Sequence, residues 1–152
     1  MAGALNRMEP DDLNDILAME QDAFGKMAWR ENDFSSAIAS DYDYPLVIRS
    51  GGHAVAYCVL RILGPEAEIE NICVHPSFRK NGLGDLMMDE MIRLSLEQKA
   101  SQIFLEVRTR NTPARNLYTK KGFCESYIRK NYYIDPSDDA LIMTRICRDE
   151  SL

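Results

Sequence analysis

One stretch of the sequence, residues 72–84, constrains the fold more than any other. It begins with Ile72, Cys73 and Val74, which are apolar residues typical of a buried strand, and Pro76 ends the strand because proline has no amide donor. A polar loop follows, and the pair Gly82-x-Gly84 stands where the apolar pattern of a helix begins. The sequence therefore predicts a strand, a tight loop and a helix in direct succession.

Such a loop is suited to binding an anion. Backbone N–H groups at the start of a helix point toward one spot and carry the positive end of the helix dipole. Glycine leaves room for a ligand, and Arg79 and Lys80 add positive charge, so the loop could hold a pyrophosphate. Two glycines after a strand are also common in plain turns, and neither the P-loop nor the dinucleotide-binding pattern is present. Both interpretations stay open at this point.

Length and composition indicate one globular domain, residues 1–152. Hydrophobic residues make up 45% of the chain and charged residues 28%, which is ordinary for a soluble protein. The longest apolar run, residues 54–60, has the length of a strand and not of a membrane span, and the N-terminus lacks the pattern of an export signal. We therefore expect a cytoplasmic protein that binds neither membrane nor nucleic acid.

The cysteines and histidines predict no metal site. The four cysteines are far apart in apolar surroundings, so we expect reduced, buried thiols, and neither histidine has a partner at metal-ligand spacing. Charge is distributed unevenly, because residues 1–60 hold ten acids and four bases whereas residues 79–130 hold eleven bases and six acids. Either this is an ordinary mixed surface, or the basic half binds a phosphate-rich ligand and the acidic half a cationic partner.

The order of the predicted elements indicates a mixed α/β sheet. Strands are predicted at residues 5–8, 44–50, 53–63, 67–75, 103–107, 123–134 and 140–147, and helices at residues 11–24, 31–39, 83–99 and from Thr112 until Gly122. Short glycine turns make the strands between residues 44 and 75 an antiparallel meander. The strand at 103–107 follows a helix, so it requires a right-handed crossover and a parallel partner in the preceding strand. Parallel strands are therefore expected at the centre of the sheet.

Three polar residues in the second half are candidates for chemistry. Glu106 is the single carboxylate in an apolar strand, and a buried charge usually has a partner or a function, although a half-exposed strand face would also explain it. Asn111 lies just before a helix, and Tyr118 comes seven residues later, on the same helix face. Because a tyrosine on a helix most often packs its ring in the core, spacing alone leaves its role open.

Taken together, these motifs resemble those of the GNAT acetyltransferases. The family's Arg/Gln-x-x-Gly-x-Gly/Ala motif is matched by Arg79, Gly82 and Gly84, and its closing motif by Leu105-Glu106-Val107-Arg108, Asn111, Ala114, Leu117-Tyr118 and Gly122-Phe123. More narrowly, the chain is similar to the ribosomal-protein N-terminal-alanine acetyltransferases, the RimI family. That similarity rests on Glu20-Gln21, Phe24, Trp29, Arg129, Asn131-Tyr132-Tyr133 and residues 139–143, and it extends along nearly the whole chain.

The resemblance implies a mixed sheet in which the two central parallel strands splay apart, flanked by helices. It implies that acetyl-CoA is held by Ile72, Cys73, Val74, Arg79, Lys80, Asn81, Gly82, Leu83, Gly84, Asp85, Asn111 and Tyr118. Glu106 would be the general base, Tyr118 the general acid, and a backbone N–H near Cys73 or Val74 the oxyanion donor. A peptide N-terminus would contact Trp29, Asn131, Tyr132 and Tyr133.

The implied activity is acetylation of the N-terminal alanine of a small-subunit ribosomal protein. Two departures from the family pattern, Ala28 in place of proline and the turn Asp135-Pro136-Ser137-Asp138 without glycine, fall where the family binds its peptide. A GNAT enzyme that acetylates a lysine or a small amine, or a CoA-binding module without catalysis, are the alternatives.

Overall fold

The computed structural model describes residues 4–134 and 136–147. The strands are β1 (Leu5–Arg7), β2 (Asp43–Ser50), β3 (His53–Leu63), β4 (Glu66–Val74), β5 (Gln102–Arg108), β6 (Cys124–Tyr133) and β7 (Asp138–Ile146). The helices are α1 (Leu13–Phe24), α2 (Glu31–Ala39), α3 (Leu83–Glu97) and α4 (Thr112–Lys120), with short 3-10 turns at Pro10–Asp12, Gly25–Met27 and Pro76–Phe78. Each predicted element is present, with ends that differ from the prediction by at most two residues. Of the predicted turn at residues 135–138, Asp135 lies outside the described residues.

The strands form one mixed sheet in the order β1-β2-β3-β4-β5-β7-β6. β2, β3 and β4 are the predicted antiparallel meander, and β5 pairs parallel to β4 after the crossover through α3. β7 inserts between β5 and β6 and is antiparallel to both. The mixed α/β fold with parallel strands at the centre is therefore confirmed.

Each face of the sheet is covered by one pair of helices. α3 packs its methionine stripe on one face, where Met87, Met88 and Met91 are fully buried, and α4 adds Tyr118 to the same core. α1 and α2 cover the other face, with Ile16 and Phe34 among its buried side chains. Truncating such a residue to alanine typically costs about 2–5 kcal/mol, so these two cores hold the central strands in place.

The cysteines only partly follow the sequence prediction. All four are free thiols, and Cys58 and Cys73 are buried as expected. Cys124 is exposed, so the prediction of a buried thiol is wrong there, and Cys147 is only partly buried. Cys124 begins β6, the edge strand, which no further strand or helix covers over the described residues.

The part of the chain that the structure describes has neither a membrane-spanning helix nor a cluster of metal ligands. No helix there is long and apolar enough to cross a membrane. No group of three or more His, Cys, Asp or Glu side chains in that part is arranged to hold a metal ion.

Candidate active site

β4 and β5 separate halfway along their length. Their parallel pairing ends with Ile69 beside Leu105. Beyond that point β4 stays paired with β3 as far as Val74, and β5 stays paired with β7 as far as Arg108. Because each strand follows its outer neighbour, a gap opens between their carboxyl ends, as the predicted splay of the central strands requires.

A cavity of about 230 Å³ lies in this gap, and we call it the active-site cavity. Its walls come from β4, β5, α4, the segment after α1 and the end of β6. Among the predicted site residues, it is lined by Trp29, Ile72, Glu106, Asn111, Tyr118, Tyr132 and Tyr133. The other predicted residues, Cys73, Val74, Asn131 and the loop at 79–85, are outside this lining. The candidate base and acid therefore line the same cavity.

Glu106 faces the cavity because of the alternation along β5. Ile103, Leu105 and Val107 are buried in the core with α3, so the residues between them point to the opposite face. The Glu106 side chain is 23% exposed. One face of the strand is thus wholly buried and apolar, and the half-exposed face that spacing left open, which also holds Phe104, is the one that carries Glu106.

The Glu106 carboxylate also has a partner from a distant strand. Arg129 of β6 donates a hydrogen bond from Nη1 to Glu106 Oε1 over 3.0 Å, and its guanidinium lies 5.4 Å from the Tyr132 ring centroid. Both side chains of the pair are partly exposed, and such pairs contribute at most about 1 kcal/mol. Arg129 therefore orients the Glu106 carboxylate while adding little to the stability of the fold.

Tyr118 reaches the cavity from α4, which packs on the face of the sheet opposite to the Glu106 side chain. It is 6% exposed, and its ring centroid lies 6.3 Å from that of Phe123. Burial, and to a smaller extent the nearby Tyr133, raises the pKa of the Tyr118 hydroxyl, so it keeps its proton at neutral pH. Asn111 caps α4, because its Oδ1 accepts the Ala114 N–H at 3.3 Å. Asn111 and Tyr118 both line the cavity, in agreement with their seven-residue spacing.

The two glycines of the loop before α3 have different roles. Gly82 caps the helix in the left-handed conformation, with φ 78°, and no described atom lies within 4 Å of the place that a Cβ would occupy. At Gly84, by contrast, a Cβ would come within 3.1 Å of Leu117 Cδ2. Gly82 therefore leaves the backbone accessible to a ligand, whereas Gly84 allows α3 to pack closely against α4.

The side chains of this loop are also of two kinds, some exposed to solvent and others buried or ion-paired. Arg79, Lys80 and Asn81 are exposed, and the Asn81 amide donates to two carbonyl groups of the preceding turn over 3.0 and 3.3 Å. Leu83 is buried in the core, and the Asp85 carboxylate pairs with Lys120, the last residue of α4, and with Lys121 just after it. Any contact that Leu83 and Asp85 make with a ligand at this loop therefore comes from their backbone N–H groups.

The end of β4 presents one backbone edge to the gap. The His75 N–H donates to the Val55 carbonyl over 2.8 Å, on the β3 side. Backbone groups alternate in direction along a strand, so those of Val74 point away from β3, and the Val74 carbonyl accepts from Arg79 Nε at 3.4 Å. Of the two expected oxyanion donors, the Val74 N–H is therefore the accessible one. Cys73 faces α1, where burial raises the pKa of its thiol.

Two tyrosines at the end of β6 form one wall of the cavity. The rings of Tyr132 and Tyr133 are 5.1 Å apart and nearly perpendicular, and the Arg108 guanidinium lies 4.3 Å from the Tyr133 centroid. Asn131 has φ 55° and donates its backbone N–H to Asp139 over 2.8 Å. This segment is thus the irregular end of a strand, in which Asn131 shapes the backbone and the tyrosines face the cavity.

Trp29 is held in place by a buried carboxylate to which the sequence analysis assigned no role. Glu20 is 1% exposed, and its Oε2 accepts the Trp29 N–H at 2.9 Å. Its Oε1 accepts the Tyr57 hydroxyl at 2.6 Å and the Asn71 amide at 2.9 Å. Burial raises the pKa of Glu20, although these three hydrogen bonds oppose the shift. An acid within the apolar pattern of α1 was the signal that could have identified this network.

Two further carboxylates, Glu68 and Glu70, line the active-site cavity without having been predicted. They share the sheet face of Glu106, since Ile69 between them is buried on the opposite side. Their alternation with Ile69 could have indicated the shared face, but only the pairing of β4 with β5 brings that face to the cavity.

The sequence relatives of this chain include several N-acetyltransferases. Ribosomal protein bS18-alanine N-acetyltransferase of Escherichia coli (strain K12) is 31% identical over 141 residues, which cover 91% of this chain and 94% of the relative. N-alpha-acetyltransferase RimI of Mycobacterium tuberculosis is 31% identical over 153 residues, which cover 98% and 94% of the two chains.

Solved structures agree with these relatives. The crystal structure of the ribosomal-protein-S18-alanine N-acetyltransferase from Escherichia coli has a TM-score of 0.86 and 28% identity, covering 100% of this chain and 99% of the other. Arabidopsis thaliana NAA60 in complex with a bisubstrate analogue also has a TM-score of 0.86, covering 96% and 98%, and at 16% identity this shows the fold alone. Residues 11–123 match the sequence model of the Acetyltransferase (GNAT) family. With the relatives, the fold and this match in agreement, the chain belongs to the GNAT acetyltransferase family.

Proposed function

We propose that this enzyme transfers the acetyl group of acetyl-CoA to the N-terminal α-amine of a protein, the N-terminal alanine of a small-subunit ribosomal protein. The observation that carries the proposal is the active-site cavity, which Glu106 and Tyr118 line from opposite faces of the sheet. The names of the Escherichia coli and Mycobacterium tuberculosis relatives support an N-terminal amine as the acceptor. With a ribosomal protein as substrate, the reaction takes place in the cytoplasm.

The loop before α3 is suited to the pyrophosphate of acetyl-CoA. The accessible backbone at Gly82, the exposed side chains of Arg79 and Lys80, and the positive end of the α3 dipole all favour a doubly charged phosphate group. From there the free edge of β4 at Val74 leads into the gap. An extended pantetheine arm can hydrogen-bond to such an edge as a further strand would.

Gly82→Val is expected to weaken CoA binding by roughly tenfold or more, equivalent to about 1.4 kcal/mol. The added side chain would occupy the space through which the pyrophosphate approaches the backbone. Isothermal titration calorimetry with CoA measures the effect. Gly52→Val is the matched control, because Gly52 is also left-handed, with φ 82° and open space around its Cβ position, but lies in the β2–β3 turn. Unchanged CoA affinity in a folded Gly82→Val variant would exclude this loop as the binding site.

The side chains in the cavity supply the steps that acetyl transfer needs. An N-terminal amine has a pKa near ~8, so it must lose a proton before its nitrogen can attack the thioester carbon. Glu106 takes that proton, directly or through a water, and the Val74 N–H donates to the carbonyl oxygen as negative charge develops there. As the carbon–sulfur bond breaks, the Tyr118 hydroxyl gives its proton to the leaving sulfur. The nitrogen then loses its second proton on becoming an amide, and that proton returns Tyr118 to its neutral form, while Glu106 releases the first proton to solvent.

The aromatic lining of the cavity favours a peptide over the alternative acceptors. Trp29, Tyr132 and Tyr133 line the cavity together with Glu106, and large aromatic side chains are enriched where proteins contact other polypeptides. The presence of both Glu106 and Tyr118 in one cavity favours catalysis over a CoA-binding module that only senses its ligand.

Mass spectrometry of a peptide panel incubated with acetyl-CoA tests the function. The panel varies the first four residues, and each peptide has a partner with a blocked N-terminus and an internal lysine. We expect one acetyl group on the free α-amine, most rapidly with N-terminal alanine, and none on the blocked partners. Acetylation of the internal lysine in the blocked peptides would contradict the proposal and favour a lysine acetyltransferase.

A further inference from the structure

Glu20 is an almost fully buried carboxylate in the wall of the active-site cavity. It belongs to α1 and lines the cavity together with Trp29 and Glu106, yet no step of the proposed reaction uses it. Removing a carboxylate from water costs several kcal/mol unless hydrogen bonds compensate. The groups that Glu20 binds therefore indicate its function.

The two oxygens of Glu20 bind two different parts of the fold. Oε1 accepts from the Tyr57 hydroxyl of β3 at 2.6 Å and from the Asn71 amide of β4 at 2.9 Å, so this oxygen is fixed to the sheet. Oε2 accepts the backbone N–H of Trp29 at 2.9 Å, nine residues further along the chain. One side chain thus links Trp29 to two strands.

Trp29 lies in the segment between α1 and α2, residues 25–30, which we call the wall segment. Beyond a short 3-10 turn, these described residues form no regular secondary structure, and Met27 and Trp29 among them line the cavity. The Trp29 ring packs against Phe34 of α2, with 5.1 Å between the ring centroids. The hydrogen bond to Glu20 therefore ties the backbone of the wall segment directly to a side chain that the sheet holds.

The Asn71 partner of Glu20 places this link close to the reacting groups. Asn71 lies on the part of β4 that is no longer paired with β5, since the parallel pairing ends at Ile69. Val74, whose N–H is the proposed oxyanion donor, follows three residues later on the same free stretch. The Glu20 carboxylate thus sets the separation between Trp29 and the strand that carries the oxyanion donor.

We propose that Glu20 is a positioning residue for the acceptor amine, which holds Trp29 and the wall segment at the distance from β4 that a peptide N-terminus requires. Reacting atoms must come within roughly 3–3.5 Å of one another before a bond forms, so a small shift of the surrounding wall weakens productive binding. Glu20 acts through Trp29 and takes no proton in the reaction. The inference rests on the proposed function, because a peptide acceptor is the ligand that Trp29 would contact.

Glu20→Gln separates the two links of this side chain. An amide has one acceptor oxygen, and its NH₂ group only donates. If the oxygen keeps the Tyr57 and Asn71 donors, the NH₂ group faces the Trp29 N–H and that hydrogen bond is lost. The reverse orientation loses two hydrogen bonds instead of one. The variant is therefore expected to release Trp29 while the contacts with β3 and β4 remain.

The expected result is a change in peptide binding alone. In Glu20→Gln, the KM for the peptide should rise roughly tenfold, the scale of one hydrogen bond to a charged group, while kcat at saturating peptide and the KM for acetyl-CoA stay near wild type. Trp29 is the single tryptophan of the chain, so its fluorescence reports on the wall segment without turnover. Its emission should shift to longer wavelength in the folded variant, because the released ring gains exposure to water.

Tyr57→Phe is the matched control. It removes a donor from the same carboxylate, but it leaves the bond to Trp29 and keeps the ring that packs edge-on against Phe34, with 5.8 Å between centroids. Tyr57 is not among the described residues that line the active-site cavity. We therefore expect lower stability in thermal unfolding but a wild-type peptide KM and a wild-type Trp29 emission.

Several results would overturn the proposal. One is a folded Glu20→Gln variant with unchanged peptide KM and emission, and another is an equal change in Tyr57→Phe, which would make the network structural only. A loss of kcat with unchanged KM would place Glu20 in the chemical step instead.

Two further measurements keep the test decisive. If Glu20→Gln does not fold, an ester in place of the peptide bond between Ala28 and Trp29 removes the N–H donor alone; the same rise in peptide KM is expected, and an unchanged KM would overturn the proposal. If the wild-type enzyme acetylates no peptide, the proposed function fails. An emission shift confined to Glu20→Gln would then still assign the position of Trp29 to Glu20, whereas equal emission in all variants would overturn that assignment.

Discussion

Tyr118→Phe is expected to lower turnover by ~10²-fold or more while stability changes little. The substitution removes one hydroxyl group and its proton but keeps the ring that packs against Phe123. Because burial raises the pKa of this hydroxyl, the wild-type side chain holds its proton until the leaving sulfur needs it. Steady-state kinetics at saturating peptide and acetyl-CoA measure the loss, and thermal unfolding measures stability.

Tyr42→Phe is a matched control, because it removes a tyrosine hydroxyl group at a place outside the active-site cavity. Tyr42 is 52% exposed and is not among the residues that line the active-site cavity, so Tyr42→Phe should keep wild-type turnover. CoA affinity should also stay near wild type in Tyr118→Phe, since the expected defect is in kcat. If Tyr118→Phe turns over at a near-normal rate, the residue serves packing alone.

Glu106→Gln is expected to lower turnover at pH 7 by ~10²–10⁴-fold, the usual range for loss of a general base. The amide is nearly isosteric with the carboxylate but takes up no proton. Raising the pH from 6 to 9 should recover part of the loss, because an α-amine with a pKa near ~8 then arrives neutral. With a lysine amine as the acceptor, whose pKa is near ~10.4, the rise in pH would recover far less of the turnover. Deprotonating it costs roughly 3 kcal/mol more than deprotonating an α-amine.

Two neighbouring carboxylates provide controls for the Glu106→Gln variant. Glu68 and Glu70 line the same cavity, so Glu68→Gln and Glu70→Gln measured in parallel show whether the large loss belongs to Glu106. Loss of the pair with Arg129 should reduce the free energy of unfolding by less than about 1 kcal/mol, because both side chains are partly exposed. Wild-type turnover of Glu106→Gln across pH 6 to 9 would show that another group accepts the proton.

Local sequence patterns determined most of the elements and the place of the candidate site. The apolar run after Gly51-Gly52 predicts β3 with the bounds that the structure has, because a strand buried on both faces needs no other signal than its composition and its turns. Gly82 was also predictable from its local sequence, because a glycine between a strand and a helix is a typical helix cap. Spacing alone left the roles of Glu106 and Tyr118 open, and it was the resemblance to the GNAT family that named both; they line one cavity in the structure, where α4 follows directly on β5.

The tertiary structure alone decided what surrounds those residues. Periodicity shows which face of a strand a side chain takes, but it does not show which distant segment will cover that face. Glu106 meets Arg129 only because β7 inserts beside β5 and brings β6 with it. Gly84 is required by Leu117 of a helix that packs from further along the chain.

Glu70 is the clearest case of a residue whose surroundings only the tertiary structure decided. In the sequence it alternates with Ile69 like any half-exposed strand residue. Its burial follows from the extra residue in the pairing of β3 with β4 and from the acids that β2 and α2 bring beside it. The pKa of a carboxylate is raised, as it is at Glu70, only when chain segments distant in sequence exclude water from it and bring another carboxyl group, here that of Asp43, beside it, so no local pattern could have indicated its state.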